Sequence, residues 1–329
     1  MQHSSIIWQK LSFFLSSTHT QHYLTHCYKK LGNTNTEKKS FENCYPFIYY
    51  LEHGKNYYDL CHAAPLSIKP VLLFYGMSQL LKACLLTVDP NYPESTSVLA
   101  HGVTTRKRKK QSYQFIDDEV KIQKHGLFTQ VAEQMFHVKH LEGEKYTMGE
   151  LLQRVAELND LFQYSKRKNR LYKLNEETDN TFTFPTHVLD SFHMTEERFI
   201  RYMEGICKHL NIQYTNVKEN DSYLHFTAPI RQWNPLYSAP LTYNHYTNTY
   251  YLPANGDTAP IFPELLTHYL LLYNLSMISR YETDWWYDLL GSYSSEDYPF
   301  IFQFLAVTAE KVPHYIYLYL MNQHNNAIS

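Results

Sequence analysis

The most apolar stretch of the chain is Leu66-Ser-Ile-Lys-Pro-Val-Leu-Leu-Phe-Tyr-Gly-Met-Ser-Gln-Leu-Leu-Lys-Ala-Cys-Leu-Leu-Thr-Val88. Pro65 and Pro70 lie near its start, where a helix tolerates proline. Its apolar residues cover nearly every face of a helix, which is typical of a helix buried in the centre of a domain. Gln79 and Lys82 interrupt the stretch, so it falls short of the ~18 consecutive apolar residues of a membrane span. It therefore predicts a central core helix.

The composition is that of a folded protein. The 329 residues are 44% hydrophobic and 19% charged, which excludes disorder as the main state. Lys and Arg total 30 against 32 Asp and Glu, a formal charge of −2. This balance argues against a protein that coats nucleic acid through bulk charge. The 30 tyrosines predict an aromatic, hydrogen-bonded core.

Several chemistries lack their sequence signatures. The five cysteines include no CxxC pair, which argues against a disulfide framework or a zinc ribbon and predicts reduced thiols in a cytoplasmic protein. The first residues do not match a secretion signal. A Walker loop, a dinucleotide fingerprint and a nucleophile elbow are all missing from the sequence. We therefore expect no cofactor.

The chain divides into three parts by pattern. Residues 1–175 are predicted to be an N-terminal helical region, residues 176–255 a small α+β insert, and residues 256–329 helices that pack on the N-terminal region. The fold class is thus mainly α with an α+β insert, and the N- and C-terminal segments form one helical body.

Individual elements follow from caps, periods and turns. We expect helices over 6–31, 127–141, 195–210, 263–278, 296–309 and 312–321, and an irregular aromatic segment over 41–60. A capping box at Thr147-Met-Gly-Glu150 predicts an amphipathic helix through Phe162. In the insert, strands are expected at 181–184 and 222–227, with a hairpin over 241–252.

A metal site is a weak candidate on the helix expected over 127–141. Glu133, His137 and His140 fall at i, i+4 and i+7, on one helical face. Imidazole and carboxylate ligands at that spacing are compatible with zinc. Lys139 and Glu142 flank them and favour the alternative, a solvated polar face.

Two basic runs are candidate phosphate contacts, with tyrosines nearby for stacking. The alternative interpretation is a solvated loop and a helix end whose cations suit the helix dipole. The candidate residues are Arg106, Arg108, Lys109 and Lys110 in the first run, and Arg167 and Arg170 in the second.

Arg280 follows a strongly apolar helix and precedes Tyr281 and two tryptophans. An arginine in such a place needs an anionic partner if it is buried. The partner is either a carboxylate, with Glu282 and Asp284 as the nearest in sequence, or an anionic ligand. The same two interpretations apply to Arg231 beside Trp233, and Lys82 adds a charge inside the central helix.

Three segments of the chain are similar to a known family. They are Phe41-Glu-Asn-Cys-Tyr-Pro-Phe-Ile-Tyr-Tyr50, Phe74-Tyr75-Gly-Met-Ser-Gln-Leu-Leu-Lys82-Ala-Cys-Leu-Leu86, and Leu275-Ser-Met-Ile-Ser-Arg280-Tyr281 with Trp285-Trp286. In these segments the chain resembles the YaaC-like family of Bacillus-type bacteria. The family is largely uncharacterised. Its gene often lies near that of IMP dehydrogenase, which implies a link to purine metabolism and makes that enzyme a candidate partner.

The segment from Phe74 to Leu86 is also similar to the tyrosine-rich helix of HEPN-type helical domains. Many HEPN ribonucleases carry Arg-x(4–6)-His, whereas the closest spacing here, Arg201 to His209, is one residue too long. Ribonuclease activity therefore does not follow from the resemblance.

Three classes of function remain open from the sequence. The leading hypothesis is a binding or regulatory protein that recognises an anionic ligand, either a nucleotide or RNA, or a partner protein. Its candidate ligand-binding residues are Arg280, Tyr281, Lys82, Arg231 and Trp233. The alternative is a metal-independent nuclease or nucleotide-processing enzyme, favoured if His101, His125 or His62 lies beside a pocket arginine. The third is an oligomeric or structural subunit with an exposed aromatic patch.

Overall fold

The computed structural model describes residues 2–105, 113–165, 171–178, 180–215, 222–253, 262–293 and 295–325. The chain forms two compact units, one of residues 1–151 with 265–329 and one of residues 152–264. The fold is mainly α with an α+β insert, and helices from both ends of the sequence form the helical body. The predicted fold class is confirmed.

The α-helices of the described residues are α1 (Gln2–Leu11), α2 (Ser17–Lys30), α3 (Thr36–Ala63), α4 (Lys69–Leu86), α5 (Leu127–Gln130), α6 (Met148–Leu152), α7 (Asn159–Tyr164), α8 (Val188–Phe192), α9 (Glu196–Ile206), α10 (Glu264–Tyr281), α11 (Thr283–Ser292) and α12 (Asp297–Asn325). The strands are β1 (Val103–Thr105), β2 (Glu119–Ile122), β3 (Lys145–Thr147), β4 (Leu171–Lys173), β5 (Asn175–Thr178), β6 (Thr181–Pro185), β7 (Gln213–Tyr214), β8 (Tyr223–Thr227), β9 (Thr242–Asn244) and β10 (Thr249–Pro253).

Helix α4 is the centre of the first unit, as its apolar faces predicted. Most of its residues are buried, and it packs against α3 and α12. The approach of α3 is close because Gly76 has no side chain. A methyl group at Gly76 would lie 2.9 Å from the ring of Tyr58 and 3.0 Å from the Cβ of Tyr57. This contact places the α3 tyrosines along the side of α4.

Several helical predictions were wrong, two of them at a proline. The segment expected to be irregular over 41–60 lies within the 28-residue helix α3, which continues through Pro46. Its packing against α2 and α4 outweighs the cost of an internal proline. The two helices expected over 296–309 and 312–321 are one helix, α12, with Pro313 inside it.

A small antiparallel sheet interrupts the N-terminal helical region, in the order β1-β2-β3. Sequence patterns did not predict it, because its strands have three or four residues each. The capping box after β3 is confirmed: the Thr147 backbone N–H donates to the Glu150 carboxylate at 2.8 Å, and the Glu150 N–H donates to the Thr147 hydroxyl at 3.2 Å. The helix it begins is shorter than expected, since α6 ends at Leu152 and α7 follows separately.

The second unit contains two antiparallel sheets, in the orders β4-β10-β9 and β5-β6-β8-β7. The expected strands and hairpin correspond to β6, β8 and the pair β9–β10, and the expected helix corresponds to α9. Its core is aromatic, with Phe182 stacked on Phe226 at 5.5 Å and Trp233 edge-on to Tyr250 at 5.1 Å.

No helix among the described residues combines the length and the apolar character that crossing a membrane requires.

Candidate functional site

Three basic side chains of the first unit act on one another electrostatically, and two of them, His101 and Arg280, contact the same tyrosine, Tyr75. Lys82 comes from α4, His101 from the segment before β1, and Arg280 from the last turn of α10. All three are half-buried. Burial lowers the pKa of His101, and the charges of Arg280 and Lys82 lower it further, because both cations lie near the imidazole. We refer to these three residues as the cationic cluster.

Among the described residues, the guanidinium of Arg280 contacts only neutral groups. Its Nε donates a hydrogen bond to the backbone oxygen of Ser276 at 2.9 Å, and its Nη1 donates to the hydroxyl of Tyr75 at 3.1 Å. Its Nη2 lies 3.2 Å from the sulfur of Met277. The guanidinium carbon is 5.7 Å from the ring centre of Tyr75 and 5.2 Å from that of Tyr281. These contacts orient the guanidinium without neutralising it.

The carboxylate partner that the sequence offered for Arg280 is not found. Neither Glu282 nor Asp284 forms an ion pair with it, and Lys82 and His101 are also without ion pairs in the part of the chain that the structure describes. Half-burying a cation is unfavourable unless an anion compensates it. The cationic cluster therefore has positive charge that the described residues leave uncompensated.

The backbone at His101 is held by two hydrogen bonds and a close crossing. Its carbonyl oxygen accepts from the backbone N–H of Phe128 at 3.2 Å and from the hydroxyl of Tyr269 at 2.9 Å. Gly102 and Gly126 both have positive φ angles, and a methyl group at Gly126 would lie 2.3 Å from the Gly102 nitrogen. Only glycine permits so close a crossing of two backbone segments. The crossing and the two hydrogen bonds together fix the position of the His101 backbone.

The imidazole of His101 is packed but makes no hydrogen bond among the described residues. It lies edge-on to the ring of Phe74, at a centroid distance of 4.9 Å, and tilted against Tyr273 at 5.7 Å. It also lies 6.2 Å from the ring of Tyr75, which receives the hydrogen bond from Arg280. A fixed imidazole with a lowered pKa and open nitrogens suits both hydrogen bonding to a ligand and proton transfer.

Lys82 lies over an aromatic ring that borders a buried hydroxyl. Its ammonium nitrogen is 5.7 Å from the ring centre of Tyr50, and burial lowers its pKa. Tyr92 is 5% exposed, and its hydroxyl has no hydrogen-bond partner among the described residues. Burial raises the pKa of Tyr92, and the negative forms of Tyr50 and Asp89 raise it further.

Aromatic rings extend the cationic cluster along α3. His53 stacks on Tyr57 at 4.9 Å, and Tyr57 stacks on Tyr75 at 6.1 Å. At the opposite end of the site, Tyr281 is 67% exposed. The site can therefore combine positive charge, hydroxyl donors and flat apolar faces, which is the chemistry that recognises an anion carrying a planar ring.

The model of the YaaC-like protein family matches residues 12–320. The chain belongs to the YaaC-like family. No curated protein and no solved structure matches it significantly. The match includes all three residues of the cationic cluster, whereas the resemblance to HEPN-type domains stays a prediction.

Two predicted ligand-binding residues of this YaaC-like protein lie in the second unit. Trp233 is in the core of that unit, where its indole N–H donates to the backbone oxygen of Leu210 at 2.9 Å. Arg231 is exposed on the 3₁₀ turn that precedes it. Packing in the core is a sufficient reason for an aromatic residue at Trp233. A role of Trp233 in ligand binding stays a prediction.

The single helical face expected to hold Glu133, His137 and His140 is not formed. The helix expected over 127–141 is α5 followed by one π-helical turn that ends at Met135. His137 and His140 have left-handed φ angles of 57° and 64°, so they do not continue the face of Glu133. Across the described ranges, no three side chains of His, Cys, Asp or Glu group closely enough to hold a metal ion.

The basic runs of this YaaC-like protein fall outside the described residues. These are Arg106, Arg108, Lys109, Lys110, Arg167 and Arg170. Their role as phosphate contacts stays a prediction.

His101 and the tyrosines around it were missed as site residues by sequence reasoning, although His101 had been named as a test of the enzyme hypothesis. The contacts that define its position come from Tyr75, Tyr269 and Arg280, up to 179 residues away in sequence. The only local signal is the glycine that follows it, which marks a close backbone approach.

Proposed function

We propose that this YaaC-like protein is a binding or regulatory protein that holds the phosphate group of a nucleotide at the cationic cluster. The observation that carries the proposal is that half-buried Arg280 and His101 both contact Tyr75, and that neither they nor half-buried Lys82, whose charge acts on the same imidazole, form an ion pair among the described residues. A cytoplasmic location fits this proposal.

The electrostatic state of the cluster supports an anionic ligand. Burial disfavours the charged forms of Lys82 and His101, as their lowered pKa values reflect. A bound phosphate reverses this effect, because an opposite charge within a few ångströms favours the protonated form. Binding of a phosphate thus offsets the unfavourable burial of these cations, and charge-assisted hydrogen bonds to Arg280 add to the binding free energy.

The aromatic surroundings favour a nucleotide over a simple anion. Tyr75 and Tyr281 present ring faces to the guanidinium, and Tyr57 stacks on Tyr75. Ligand sites combine apolar walls with a few placed polar groups, and a nucleobase is a flat apolar ligand with a polar edge. A site for sulfate or phosphate alone would not need these rings.

Calorimetric titration with a panel of purine and pyrimidine nucleotides tests the proposal. We expect binding to the wild-type protein and a loss of at least about tenfold in affinity, or about 1.4 kcal/mol, for each of Lys82→Ala, His101→Ala and Arg280→Ala. Lys55→Ala is the matched control, because Lys55 is a lysine of α3 paired with Asp59. Equal affinities for all four variants would place the ligand elsewhere.

A specific observation also favours the second candidate, a metal-independent nuclease or nucleotide-processing enzyme. The imidazole of His101 has a lowered pKa, makes no hydrogen bond among the described residues and lies beside a guanidinium. A neutral imidazole is a suitable general base, and the arginine is suited to stabilise charge that develops on a phosphoryl group.

The enzyme candidate is tested by assaying single-stranded RNA and nucleotides for cleavage in the presence of EDTA. If His101 is the base, His101→Ala abolishes cleavage, whereas His125→Ala, which removes an exposed histidine, leaves it intact. If the wild-type protein binds nucleotides but cleaves none of these substrates, the enzyme candidate is rejected and the binding function is retained.

The leading hypothesis also includes RNA or a partner protein as the bound species. If the basic runs bind RNA, replacing Arg106, Arg108, Lys109 and Lys110 with Ala weakens binding and reduces its salt dependence. Co-purification with IMP dehydrogenase tests the partner that gene neighbourhood implies.

A further inference from the structure

The hydrogen-bonding capacity of the cationic cluster narrows the kind of phosphate it fits. Arg280 has five N–H donors, of which the contacts to Ser276, Tyr75 and Met277 use three. Lys82 makes no hydrogen bond among the described residues, and neither does the His101 ring. Arg280 and the His101 ring, which both contact Tyr75, therefore have donors left for a bound group, and Lys82 adds a charge that acts on the same imidazole. A phosphate monoester has three terminal oxygens, whereas a diester has two.

The charges of the cationic cluster also favour a phosphate monoester over a diester. Lys82 and Arg280 contribute two formal positive charges, and His101 contributes a neutral ring near pH 7. A phosphate monoester carries a charge of about −1.5 to −2 at that pH, whereas each diester phosphate of a nucleic acid carries one negative charge. A monoester neutralises the two cations, and a diester leaves one of them uncompensated.

Tyr281 supplies an open ring face at the same site. It is 67% exposed, and its ring lies 5.2 Å from the guanidinium carbon of Arg280. Among the described residues it has no ring partner, in contrast to Tyr57, which stacks against His53 and Tyr75. A planar ligand ring can therefore stack on Tyr281 while its phosphate reaches Arg280.

Resting on the proposed function, we infer that the cationic cluster selects a phosphate monoester joined to a planar ring system, the chemistry of a nucleoside 5′-monophosphate, over a phosphodiester. Tyr281 is the residue that recognises the ring, and Lys82, His101 and Arg280 hold the phosphate. The inference separates a small nucleotide from RNA as the ligand of this site.

Matched ligands test the phosphate half of the inference. The wild-type protein is titrated calorimetrically with adenosine, guanosine, cytidine and uridine 5′-monophosphates and with the 3′,5′-cyclic monophosphate of each. We expect the 5′-monophosphate of the preferred nucleoside to bind at least about tenfold more tightly than its cyclic diester, because it gains one charge and one oxygen. Equal or tighter binding of the cyclic form overturns the inference and leaves the proposed function standing. If neither form binds and no other nucleotide of the panel binds, the proposed function itself is contradicted.

Variants of Tyr281 test the ring half. Tyr281→Ala should lower the affinity for the 5′-monophosphate about tenfold through lost stacking, to the level of ribose 5-phosphate. Tyr281→Phe should retain the wild-type affinity, because the ring face is kept. Tyr287→Ala, which removes another exposed tyrosine, is the control. An unchanged affinity of Tyr281→Ala would overturn the role of the ring.

Discussion

The guanidinium of Arg280 is oriented by a backbone oxygen, a tyrosine hydroxyl and a thioether. Because none of these groups is charged, Arg280→Ala strands no ion among the described residues. We expect it to lower the free energy of unfolding by only about 1 kcal/mol, for the lost hydrogen bonds, while nucleotide binding is lost. Arg280→Lys should also impair binding, since the planar fork is gone.

Denaturant unfolding beside calorimetric binding checks both variants. A loss of 3 to 5 kcal/mol, which is about the cost of removing one partner from a buried ion pair, would mean that Arg280 has a structural carboxylate partner. The anchor role would then be replaced by the structural one that the sequence also offered.

His101 couples the stability of the protein to pH. Burial and the neighbouring cations hold its pKa below the ordinary value of 6.5. The unfolded chain therefore takes up this proton first as the pH falls, and folding becomes less favourable between pH 6.5 and the lower folded pKa. We expect the free energy of unfolding to fall below pH 6.5, and to fall less in His101→Gln. Thermal unfolding at a series of pH values measures this, and identical profiles of the two proteins would contradict it.

Single residues of the site differ in how well sequence could predict them. Lys82 and Arg280 could be predicted as candidates, because a cation within or directly after an apolar helix is unfavourable unless an anion compensates it. Sequence could not predict His101, because the residues that act on it lie far away in the chain. It could not predict Tyr50 and Tyr92 either, because only the structure shows the buried Tyr92 hydroxyl.

At the scale of elements, the contact between α3 and α4 positions the tyrosines of the site. Gly76→Ala would bring a methyl group within 2.9 Å of the Tyr58 ring. We expect it to lower the free energy of unfolding by about 1–3 kcal/mol, as overpacking does, and to weaken ligand binding by moving Tyr57. Gly205→Ala in α9 meets nothing within 4 Å and should be neutral or stabilising by up to about 1 kcal/mol.

Chemical denaturation of the two glycine variants measures this difference. Equal stabilities would show that α3 and α4 can separate without cost, and that the site does not depend on their close approach.

Helix α4 was predictable because its apolar residues occur on all faces, and the insert because its strands and hairpin carry alternation and turn residues. Helix α3 was not, because Pro46 and the exposed rings of Phe41, Tyr45 and Tyr49 obscure its period. The end of the helix before His137 was missed for another reason. The left-handed φ of His137 has no signal in the sequence when the residue is not glycine.

At the scale of the whole molecule, we propose that residues 152–264 fold independently. They contain an aromatic core, and their single tryptophan, Trp233, lies within it. A fragment limited to the insert boundaries 176–255 lacks β4, which pairs with β10, and Glu157, which accepts the N–H of His245 at 2.6 Å. We expect cooperative unfolding of fragment 152–264, followed by Trp233 fluorescence, and a less stable or unfolded fragment 176–255. Equal stability of both fragments would support the shorter domain.

Binding of the anion at the cationic cluster is tested by an NMR titration of the His101 imidazole. The ring signals, assigned by their absence in His101→Gln, are followed against pH with and without a saturating nucleoside 5′-monophosphate. We expect a pKa below 6.5 in the free protein and a higher pKa in the complex, because a bound phosphate favours the imidazolium. A ligand that binds while the His101 pKa stays the same would contradict it.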